Sequence, residues 1–413
     1  LIIADDQGTD FVGAYRENTR PVRTPNVDQL ASEGLLFRRA YTNPVCAPTR
    51  AALLTGQQVF RSGIGYGIRL DLEDDFELDI GLPSIPSVLK ANTGGLYATE
   101  ALGKWNLSMR HERPNTHPQA MGFDHYAGAL NNTPNYYEWN KIVDGQPETM
   151  QTYSTTDTTN DAIASVQYLP EPWFVWVAYH APHAPWHEPP PQLHDTPFAD
   201  NISTVDERLD AMVNALDTEV GRLFAAMPPD QRAHTTIFYI GDNGTQAARM
   251  QVDDPGGGKM SVRETGIRVP FIAAGPAVPR PGTETEALVS IVDFLPTIAE
   301  LSGAPLTAQQ RAETDGVSFV PVLANPTATV REAAYTEWFS PLGSGPHTVY
   351  DQAVVESRYK LIRRFAGEEL FDLQGRLIEG DNLLQHPLAP DAQQALDRMY
   401  ALLDTYPRPV EAD

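Results

Sequence analysis

The sequence of 413 residues contains one cysteine, Cys46, and only five lysines. A single cysteine excludes an intramolecular disulfide, so cysteine content does not indicate the compartment. Acidic side chains outnumber basic ones by 54 to 30, and the resulting net charge of -24 argues against nucleic acid or an anionic membrane as a partner. An anionic ligand must therefore be held by a local group of cations or by a metal.

Long apolar runs are also missing, since no stretch of the sequence is long enough to span a bilayer. The chain opens on Leu1 to Ala4, which has the pattern of a buried strand and lacks an initiating methionine. We expect the natural N-terminus to lie upstream, where a signal peptide is compatible with the sequence. A periplasmic or secreted location is slightly favoured over a cytoplasmic one, and the sequence indicates no oligomeric state.

Short apolar runs alternate with helical patterns over most of the chain. This alternation predicts an α/β fold in which a large sheet is sandwiched by helices. The predicted strands are 1–4, 97–102, 173–179, 235–240 and 269–273. The predicted helices are 26–33, 85–91, 158–168, 205–224 and 292–301.

Two segments are predicted as loops, and the C-terminal part has a pattern of its own. Residues 110–151 have little periodicity and are predicted to be a long surface excursion, and the proline-rich segment 182–197 is predicted to be a second loop.

After about residue 330, a small antiparallel sheet and one helix are predicted from strands 333–338, 351–356, 359–363 and 369–372 and helix 391–403. We therefore predict a main domain over 1–330 and a subdomain over 331–413.

Cys46 lies in the stretch PVCAPTRAALLTG, residues 44–56. Pro48 suits a first helical position, and the alanines and leucines after it favour a helix. Cys46 is thus predicted at or just before a helix N-terminus, where backbone amides and the helix dipole favour anions. Arg50 then lies about one turn into the helix, on the same face. The alternative is that this lone cysteine is an inert buried residue.

Acidic side chains follow two of the predicted strands. Asp5 and Asp6 come directly after the first strand, and Asp242 and Asn243 follow the strand 235–240. Two adjacent carboxylates repel one another unless a cation lies between them. An all-oxygen set of ligands suits a hard cation, and the neutral amide oxygen favours Ca²⁺ over Mg²⁺. The alternative for Asp5 and Asp6 is a solvated pair in a loop.

Two lysines and a histidine also lie near predicted strands. Lys104 comes just past the strand 97–102, Lys259 follows three glycines, and His183 lies in HAPHAPWH, residues 180–187. Open α/β sheets place their sites at the carboxyl ends of strands. The alternatives are a lysine snorkelling at a sheet edge and an exposed glycine loop. A zinc site is disfavoured because the prolines leave the histidines no common helical face.

Taken in order along the chain, these motifs resemble the sulfatase family. The resemblance rests on CAPTR at 46–50, GKW at 103–105, HAPH at 180–183, GDNG at 241–244 and GGGK at 256–259 before RVP at 268–270. It covers essentially the whole chain, because YKLI at 359–362 and ELFDL at 369–373 are similar to the family's C-terminal subdomain. It implies an alkaline-phosphatase-like fold, with residues 1–330 as the catalytic domain.

The resemblance also implies an activity, a cofactor and residue roles. The implied activity is hydrolysis of a small-molecule or carbohydrate sulfate ester, after a formylglycine-generating enzyme has oxidised Cys46 to formylglycine. The implied ligands of the cation, Ca²⁺ before Mg²⁺, are Asp5, Asp6, Asp242, Asn243 and the formylglycine at Cys46. Arg50, Lys104 and Lys259 would offset the sulfate charge. His183 would be the general acid at the leaving oxygen.

One position departs from the family pattern. Sulfatases typically have a histidine two residues after the lysine of the GKW motif, and here that residue is Asn106. The family's histidine helps to break down the sulfated hemiacetal, whereas asparagine cannot take a proton near neutral pH. We therefore predict an intact metal and sulfate site with an altered release step. The candidate replacements in the following segment are His111, His117 and His125.

Two other functions remain open on this sequence. Phosphodiester or phosphonate monoester hydrolases on the same fold use the same nucleophile and metal, so departures near the lysine fit them as well. A non-catalytic binder of sulfated ligands would keep the pocket without turnover. Tyr136, Tyr137, Trp139 and Trp186 either offer stacking surfaces for a ring of the substrate or pack the loops down.

Overall fold

A computed structural model describes residues 1–68, 76–108, 115–197, 204–407 and 410–412. Its main sheet is mixed and has eleven strands in the described part of the chain. These strands are β1 (Ile2–Ala4), β2 (Gly34–Tyr41), β3 (Ala98–Gly103), β4 (His125–Gly128), β5 (Trp139–Val143), β6 (Gln146–Met150), β7 (Trp173–Ala178), β8 (Ile237–Gly241), β9 (Arg268–Ala274), β10 (Thr283–Thr285) and β11 (Val289–Ser290).

The strand order is β10-β2-β9-β8-β1-β7-β3-β4-β5-β6, and β11 also pairs with β2. The centre of the sheet is parallel, because β1 lies between β7 and β8 with all three running in one direction. β9 is antiparallel to both β8 and β2. The carboxyl ends of β1, β8, β3 and β7 therefore meet at one edge of the sheet, as the sequence predicts.

Helices cover both faces of the main sheet. The described helices before the second sheet are α1 (Pro25–Ser32), α2 (Cys46–Thr55), α3 (Val59–Ser62), α4 (Ile85–Thr93), α5 (His117–Ala120), α6 (Ser154–Tyr168), α7 (Val205–Ala226), α8 (Pro229–His234), α9 (Glu264–Ile267), α10 (Phe294–Leu301), α11 (Ala308–Ala312) and α12 (Val320–Ala324). One core contains buried residues of α2, α4 and α10, and the other contains those of α1, α6 and α7. No described helix has the length and apolar character needed to cross a membrane.

The C-terminal sheet is antiparallel, in the order β12 (Ala333–Ser340), β13 (Val349–Glu356), β14 (Tyr359–Arg364) and β15 (Gly367–Asp372). One of its faces packs under α13 (Pro390–Leu403), and the other packs against Tyr41, Val262 and Ile267 of the main part. This confirms the small antiparallel sheet with one helix. The chain enters the second sheet at β12, after α12. The domain boundary at 330 remains a prediction.

Three details of the sequence prediction were wrong. The segment 110–151 is not only a surface excursion, because β4, β5 and β6 extend the main sheet there. Edge strand β6 is almost wholly exposed, so it carries no apolar pattern. β2 was missed because Arg38 and Arg39 interrupt its apolar run. Helix α2 begins at Cys46, so Pro48 is its third residue and not its first.

Candidate active site

The acids at the carboxyl ends of β1 and β8 lie together. In the parallel pairing of these strands Ala4 lies opposite Gly241, so the residues that follow them meet at the sheet edge. The Asp6 amide donates to Asp242 Oδ1 at 3.1 Å, and Asn243 Nδ2 donates to Asp6 Oδ1 at 2.9 Å. None of the four predicted metal ligands from these two strand ends is more than 4% exposed. The structure thus brings residues more than 230 positions apart into one buried cluster.

Cys46 is the first residue of α2 and lies against this cluster. Its Sγ is 3.2 Å from Asp5 Oδ1 and 3.8 Å from Asp6 Oδ1. Burial, reinforced by the Asp5 charge, raises the pKa of the thiol. The sulfur therefore carries its proton near neutral pH, and as an unmodified thiol it is a poor nucleophile.

Three cations surround the same sulfur and carboxylates. Arg50, one turn into α2, donates from Nε and Nη2 to Asp242 Oδ2 at 3.1 and 2.8 Å. Lys104 Nζ bonds to Asp5 Oδ2. Lys259 Nζ lies 2.6 Å from Asp6 Oδ1 and 3.4 Å from Cys46 Sγ. All three cations that the sequence singled out thus lie at the cluster.

The pKa is lowered at Asp5 and Asp6 and raised at Asp242. Burial by itself would raise the pKa of Asp5, but Lys104 and other cations beside it lower that pKa well below its usual range. Burial likewise opposes ionisation of Asp6, and Lys259 overcomes it, so this pKa is also lowered. At Asp242 burial and repulsion from Asp5 prevail and raise the pKa to about 6. The two carboxylates beside the sulfur are therefore the ones that the cations hold most firmly in the ionised form.

Lys104 and Lys259 each follow a glycine at a position that no other residue fits. Gly103 has φ 83°, and a Cβ there would lie 2.1 Å from the Ala178 carbonyl oxygen. Gly258 also has φ 83°, and a Cβ there would lie 2.7 Å from Ala247 Cα. Because L-residues adopt this backbone conformation only at a cost, the glycines fix the turns that direct Lys104 and Lys259.

His183 borders the cluster from the loop after β7. Its Nε2 is 3.7 Å from Asp6 Oδ2, and burial lowers the pKa of the ring despite the nearby acids. Tyr136 supports this loop, since its buried hydroxyl donates to the His183 carbonyl at 2.7 Å. Trp139 is also buried, with Nε1 donating to the Thr152 carbonyl. These two aromatic residues pack the loops down, as one of the two interpretations held, whereas Tyr137 is 41% exposed.

Strained backbone is concentrated at the cluster. The described part of the chain has five non-glycine residues with positive φ, and Asp6, Asn106 and Met260 are three of them. Asp6 is in the cluster, Asn106 lies two residues after Lys104, and Met260 is the residue after Lys259. A left-handed conformation costs an L-residue about 1–2 kcal/mol, least for asparagine and aspartate. Such strain is typical of functional sites.

Asn106 is 6% exposed, and its backbone N–H donates to the Leu130 carbonyl at 2.8 Å. Its φ of 61° suits asparagine and histidine alike, so the exchange leaves the backbone undisturbed. Two of the three candidate histidines for the release step are bonded to other residues. His117 bonds to Trp105 and Leu78, His125 bonds to Asp144, and His111 lies outside the described residues.

Two further residues at the cluster were missed in the sequence. Gln246 Nε2 donates to Asp6 Oδ2 at 3.3 Å, and a lone glutamine in a loop gave no signal. His180 is 2% exposed, and burial followed by the Lys104 charge lowers its pKa to about 3. His180 lies in the HAPH motif, but only the fold shows how deeply its ring is buried.

The donor set of the cluster fits a hard cation. Asn243 Oδ1 is buried and has no hydrogen-bond partner among the described residues. An orphaned amide oxygen next to three carboxylates is a ligand set that suits Ca²⁺. Donor atoms of Asp5, Asp6, Cys46 and His183 also lie within 4.8 Å of one another. The oxygen ligands of Asp5, Asp6, Asp242 and Asn243 favour a hard cation over zinc.

Family models agree with this geometry. Residues 1–304 match the model of the sulfatase family, and residues 258–404 match that of the N-sulphoglucosamine sulphohydrolase C-terminal domain. The chain belongs to the sulfatase family. This confirms the resemblance seen in the sequence, and the solved sulfatase structures that are similar to this chain share its alkaline-phosphatase-like fold.

Individual sulfatases are similar over most of the chain. Human N-acetylgalactosamine-6-sulfatase is 30% identical in an alignment 363 positions long, which covers 78% of this chain and 65% of that protein. Bovine arylsulfatase A is 31% identical in an alignment 359 positions long, which covers 78% of this chain and 67% of that protein. The chain thus spans about two thirds of the length of these relatives. A solved structure, Ps i-CgsB in complex with k-i-k-neocarrahexaose, has a TM-score of 0.81 and 25% identity, and the match covers 98% of this chain and 91% of that one.

Proposed function

We propose that the protein hydrolyses a sulfate monoester, with formylglycine at position 46 as the nucleophilic residue. The observation that carries this proposal is the position of Cys46 Sγ, which lies 3.2 Å from Asp5 Oδ1 and 3.4 Å from Lys259 Nζ at the start of α2. The burial that keeps the thiol protonated supports conversion to another group, because the unmodified thiol is a poor nucleophile. A formylglycine-generating enzyme is the proposed maturation partner.

The proposed cation is Ca²⁺, held by Asp5, Asp6, Asp242 and Asn243. When bound, it would polarise the sulfate oxygens and offset their charge. Arg50, Lys104 and Lys259 already neutralise the carboxylates of the cluster, and they are close enough to stabilise the negative charge that grows on the sulfuryl oxygens. The chain itself thus supplies three cations at fixed positions, which need no reorganisation during the reaction.

His183 is proposed to protonate the leaving oxygen. As the sulfur–oxygen bond of the substrate breaks, the departing alkoxide needs a proton, and His183 Nε2 lies at the border of the cluster. Charge from the bound sulfate would favour the protonated imidazole that this role requires. The release of sulfate from the enzyme is the step in which Asn106 offers no base.

The proposed substrate is a carbohydrate sulfate ester. One relative is named N-acetylgalactosamine-6-sulfatase, and a structural relative at 25% identity was solved with a neocarrahexaose. These names describe those proteins, and they support a sugar sulfate as the substrate of this chain.

The experiment that tests the proposal combines peptide mass with substrate choice. We expect the mass of the peptide containing Cys46 to show the aldehyde after co-expression with a formylglycine-generating enzyme. We then expect sulfate release from N-acetylgalactosamine 6-sulfate, with bis(4-nitrophenyl) phosphate turned over far more slowly. A large preference for the phosphate diester would replace the proposal with a phosphodiesterase. Binding of the sugar sulfate without turnover by the aldehyde form would replace it with a binding protein.

A further inference from the structure

Met260 has an unfavourable backbone and an exposed side chain directly beside the cluster. It follows Lys259, whose Nζ is 3.4 Å from Cys46 Sγ, and it is 45% exposed. Its φ is 70°, a value that suits asparagine, aspartate or glycine but not methionine. Three glycines stand shortly before it in the same loop, so a further glycine at this position, which would remove the strain, would suit the local sequence.

The backbone of this loop explains why the strain is present. Lys259 donates its amide to the Thr245 carbonyl at 2.8 Å, and Met260 donates its own to the Pro44 carbonyl at 2.8 Å. The second of these bonds ties the loop to the residues just before Cys46. Both amides are therefore bonded where Met260 has its left-handed conformation, and the residue is 45% exposed.

Aromatic side chains lie next to the exposed methionine. The Tyr66 hydroxyl is 3.9 Å from Met260 Sδ, and the ring of Tyr66 is 5.9 Å from that of Trp338 on β12. Tyr66 and Trp338 are both half-buried. The three side chains come from three separate segments, one of them the C-terminal sheet. We call Tyr66, Met260 and Trp338 the ring platform.

The cluster itself offers charge but little apolar surface. The side chains that surround Cys46 Sγ are carboxylates and cations, which recognise the sulfate and not the group that carries it. A ring has apolar faces that need a flat, partly exposed apolar contact, and methionine sulfur and aromatic rings supply one. The ring platform has this chemistry, and its Met260 directly follows Lys259 in the chain.

We propose that the ring platform binds an apolar face of the ring that carries the scissile sulfate, with Met260 as a specificity-determining residue. This inference rests on the proposed function and adds a subsite for the organic part of the substrate. The strain at Met260 is then tolerated because glycine at this position would leave the ring without its contact. The shared chemistry is the apolar ring face, which a sugar and an aryl group both present.

The decisive variant is Met260→Gly, because it removes the side chain and relieves the strain at once. We expect KM for the sulfate ester to rise about tenfold and kcat to stay within about twofold, the pattern of lost binding in ground state and transition state alike. Inhibition by inorganic sulfate, which has no ring, should be unchanged. The Tm should be no lower than that of the parent protein, since glycine adopts φ 70° without strain.

Two control variants separate ring binding from a structural role. Met260→Leu keeps apolar bulk and should keep KM within about threefold. Arg16→Gly also replaces a left-handed residue, at φ 59°, but the Arg16 side chain pairs with Glu284 on β10, so KM should not change. A lower Tm for Met260→Gly together with weaker inhibition by inorganic sulfate would show a structural role and overturn the proposal. An unchanged KM would also overturn it.

The assay is run with N-acetylgalactosamine 6-sulfate and with 4-nitrophenyl sulfate. A higher KM for either substrate in Met260→Gly supports the platform and shows which ring it binds. If the parent protein releases no sulfate at all, the proposed function fails on its own. The platform is then tested by calorimetric binding of N-acetylgalactosamine 6-sulfate to Cys46→Ser and to Cys46→Ser/Met260→Gly. Weaker binding by the double variant supports it, whereas equal binding or none by either protein overturns it.

Discussion

Two buried lysines lie in very different networks of this protein. Lys104 and Lys360 are both 0% exposed, and both bond to carboxylates. Lys104 lies in the candidate active site beside Asp5. Lys360 lies between the two sheets, where its Nζ is 2.8 Å from Glu264 Oε1 and 2.7 Å from Glu379 Oε1.

The network around Lys360 is bonded internally, whereas the active-site cluster is not. The Glu264 amide also donates to Glu379, and Arg263 continues the network to Asp254 at 2.9 Å. In the cluster, Asn243 Oδ1 has no partner among the described residues, and Asp6 has a left-handed backbone. The difference indicates that the Lys360 network is built for stability and the cluster for a ligand, because unbonded polar groups and strain destabilise a fold.

The largest effect that would test this comparison is at the nucleophile. We expect Cys46→Ala to lower sulfate release by roughly 10⁴-fold or more, because the reacting group is lost. We expect its Tm to fall only slightly, because the contacts of Sγ with Asp5 and Lys259 are lost while both residues keep their ion pairs with Lys104 and Asp6. Sulfate release is measured by ion chromatography and Tm by calorimetry. Residual release within about tenfold of the parent would show that Cys46 is not the nucleophile.

A second test exchanges the two lysines for methionine. Lys360→Met removes the cation that bridges two buried glutamates, which keep only longer contacts with Arg268 at 3.5 Å and Arg263 at 3.8 Å, and should lower the free energy of unfolding by about 3–5 kcal/mol. Lys104→Met should lower kcat/KM by about 10²–10³-fold. Its loss of stability should be smaller, because Lys104 pairs with a single carboxylate, that of Asp5, and Arg50 remains 3.8 Å from it.

The control for the lysine pair is Lys90→Met. Lys90 pairs with Asp124 at the surface, so its loss should cost about 1 kcal/mol or less and leave activity intact. Urea unfolding and initial rates are measured on all three variants. A greater loss of stability in Lys104→Met than in Lys360→Met would contradict the assignment of the Lys360 network to stability and of the cluster to ligand binding.

A third test asks whether the cluster is completed by a cation. We expect Ca²⁺ at about 100 times its Kd to stabilise the protein by about 2.7 kcal/mol against unfolding. Lys360→Met should keep this increment although it is less stable, whereas Asn243→Ala should lose most of it. Thermal unfolding with Ca²⁺ or with chelator measures the increment. An equal increment in Asn243→Ala would show that the cation binds elsewhere.

The smallest expected effect is at Asn106. We expect Asn106→His to raise the steady-state rate about tenfold to a hundredfold by supplying a base for the release step, with little change in the initial burst. Asn106→Gly is the matched control, because it keeps the left-handed backbone and adds no base. Rapid-quench measurements separate the burst from the steady state. Equal steady-state rates for Asn106→His and the parent protein would show that release does not depend on this position.

Much of the fold and most of the cluster could be predicted from the sequence. The strands before Asp5, Lys104, His183 and Asp242 have strong apolar runs, and the predicted bounds differ from the observed ones by one or two residues. The edge strand β6 was missed because an exposed strand keeps few apolar residues. Gln246 was missed because its contact with Asp6 depends on a turn that no residue pattern marks.

The sequence by itself determined the chemistry of this protein: one cysteine at a helix start, acids and an amide after two strands, and lysines after glycines. Local patterns carry that information because burial and turn geometry restrict the residues at each position. Only the tertiary structure decided the rest. It placed Cys46 against Asp5, left Asn243 Oδ1 without a partner and put strained Met260 beside Tyr66. Such contacts join distant segments, and packing between sheets and loops, which no local pattern records, sets their distances.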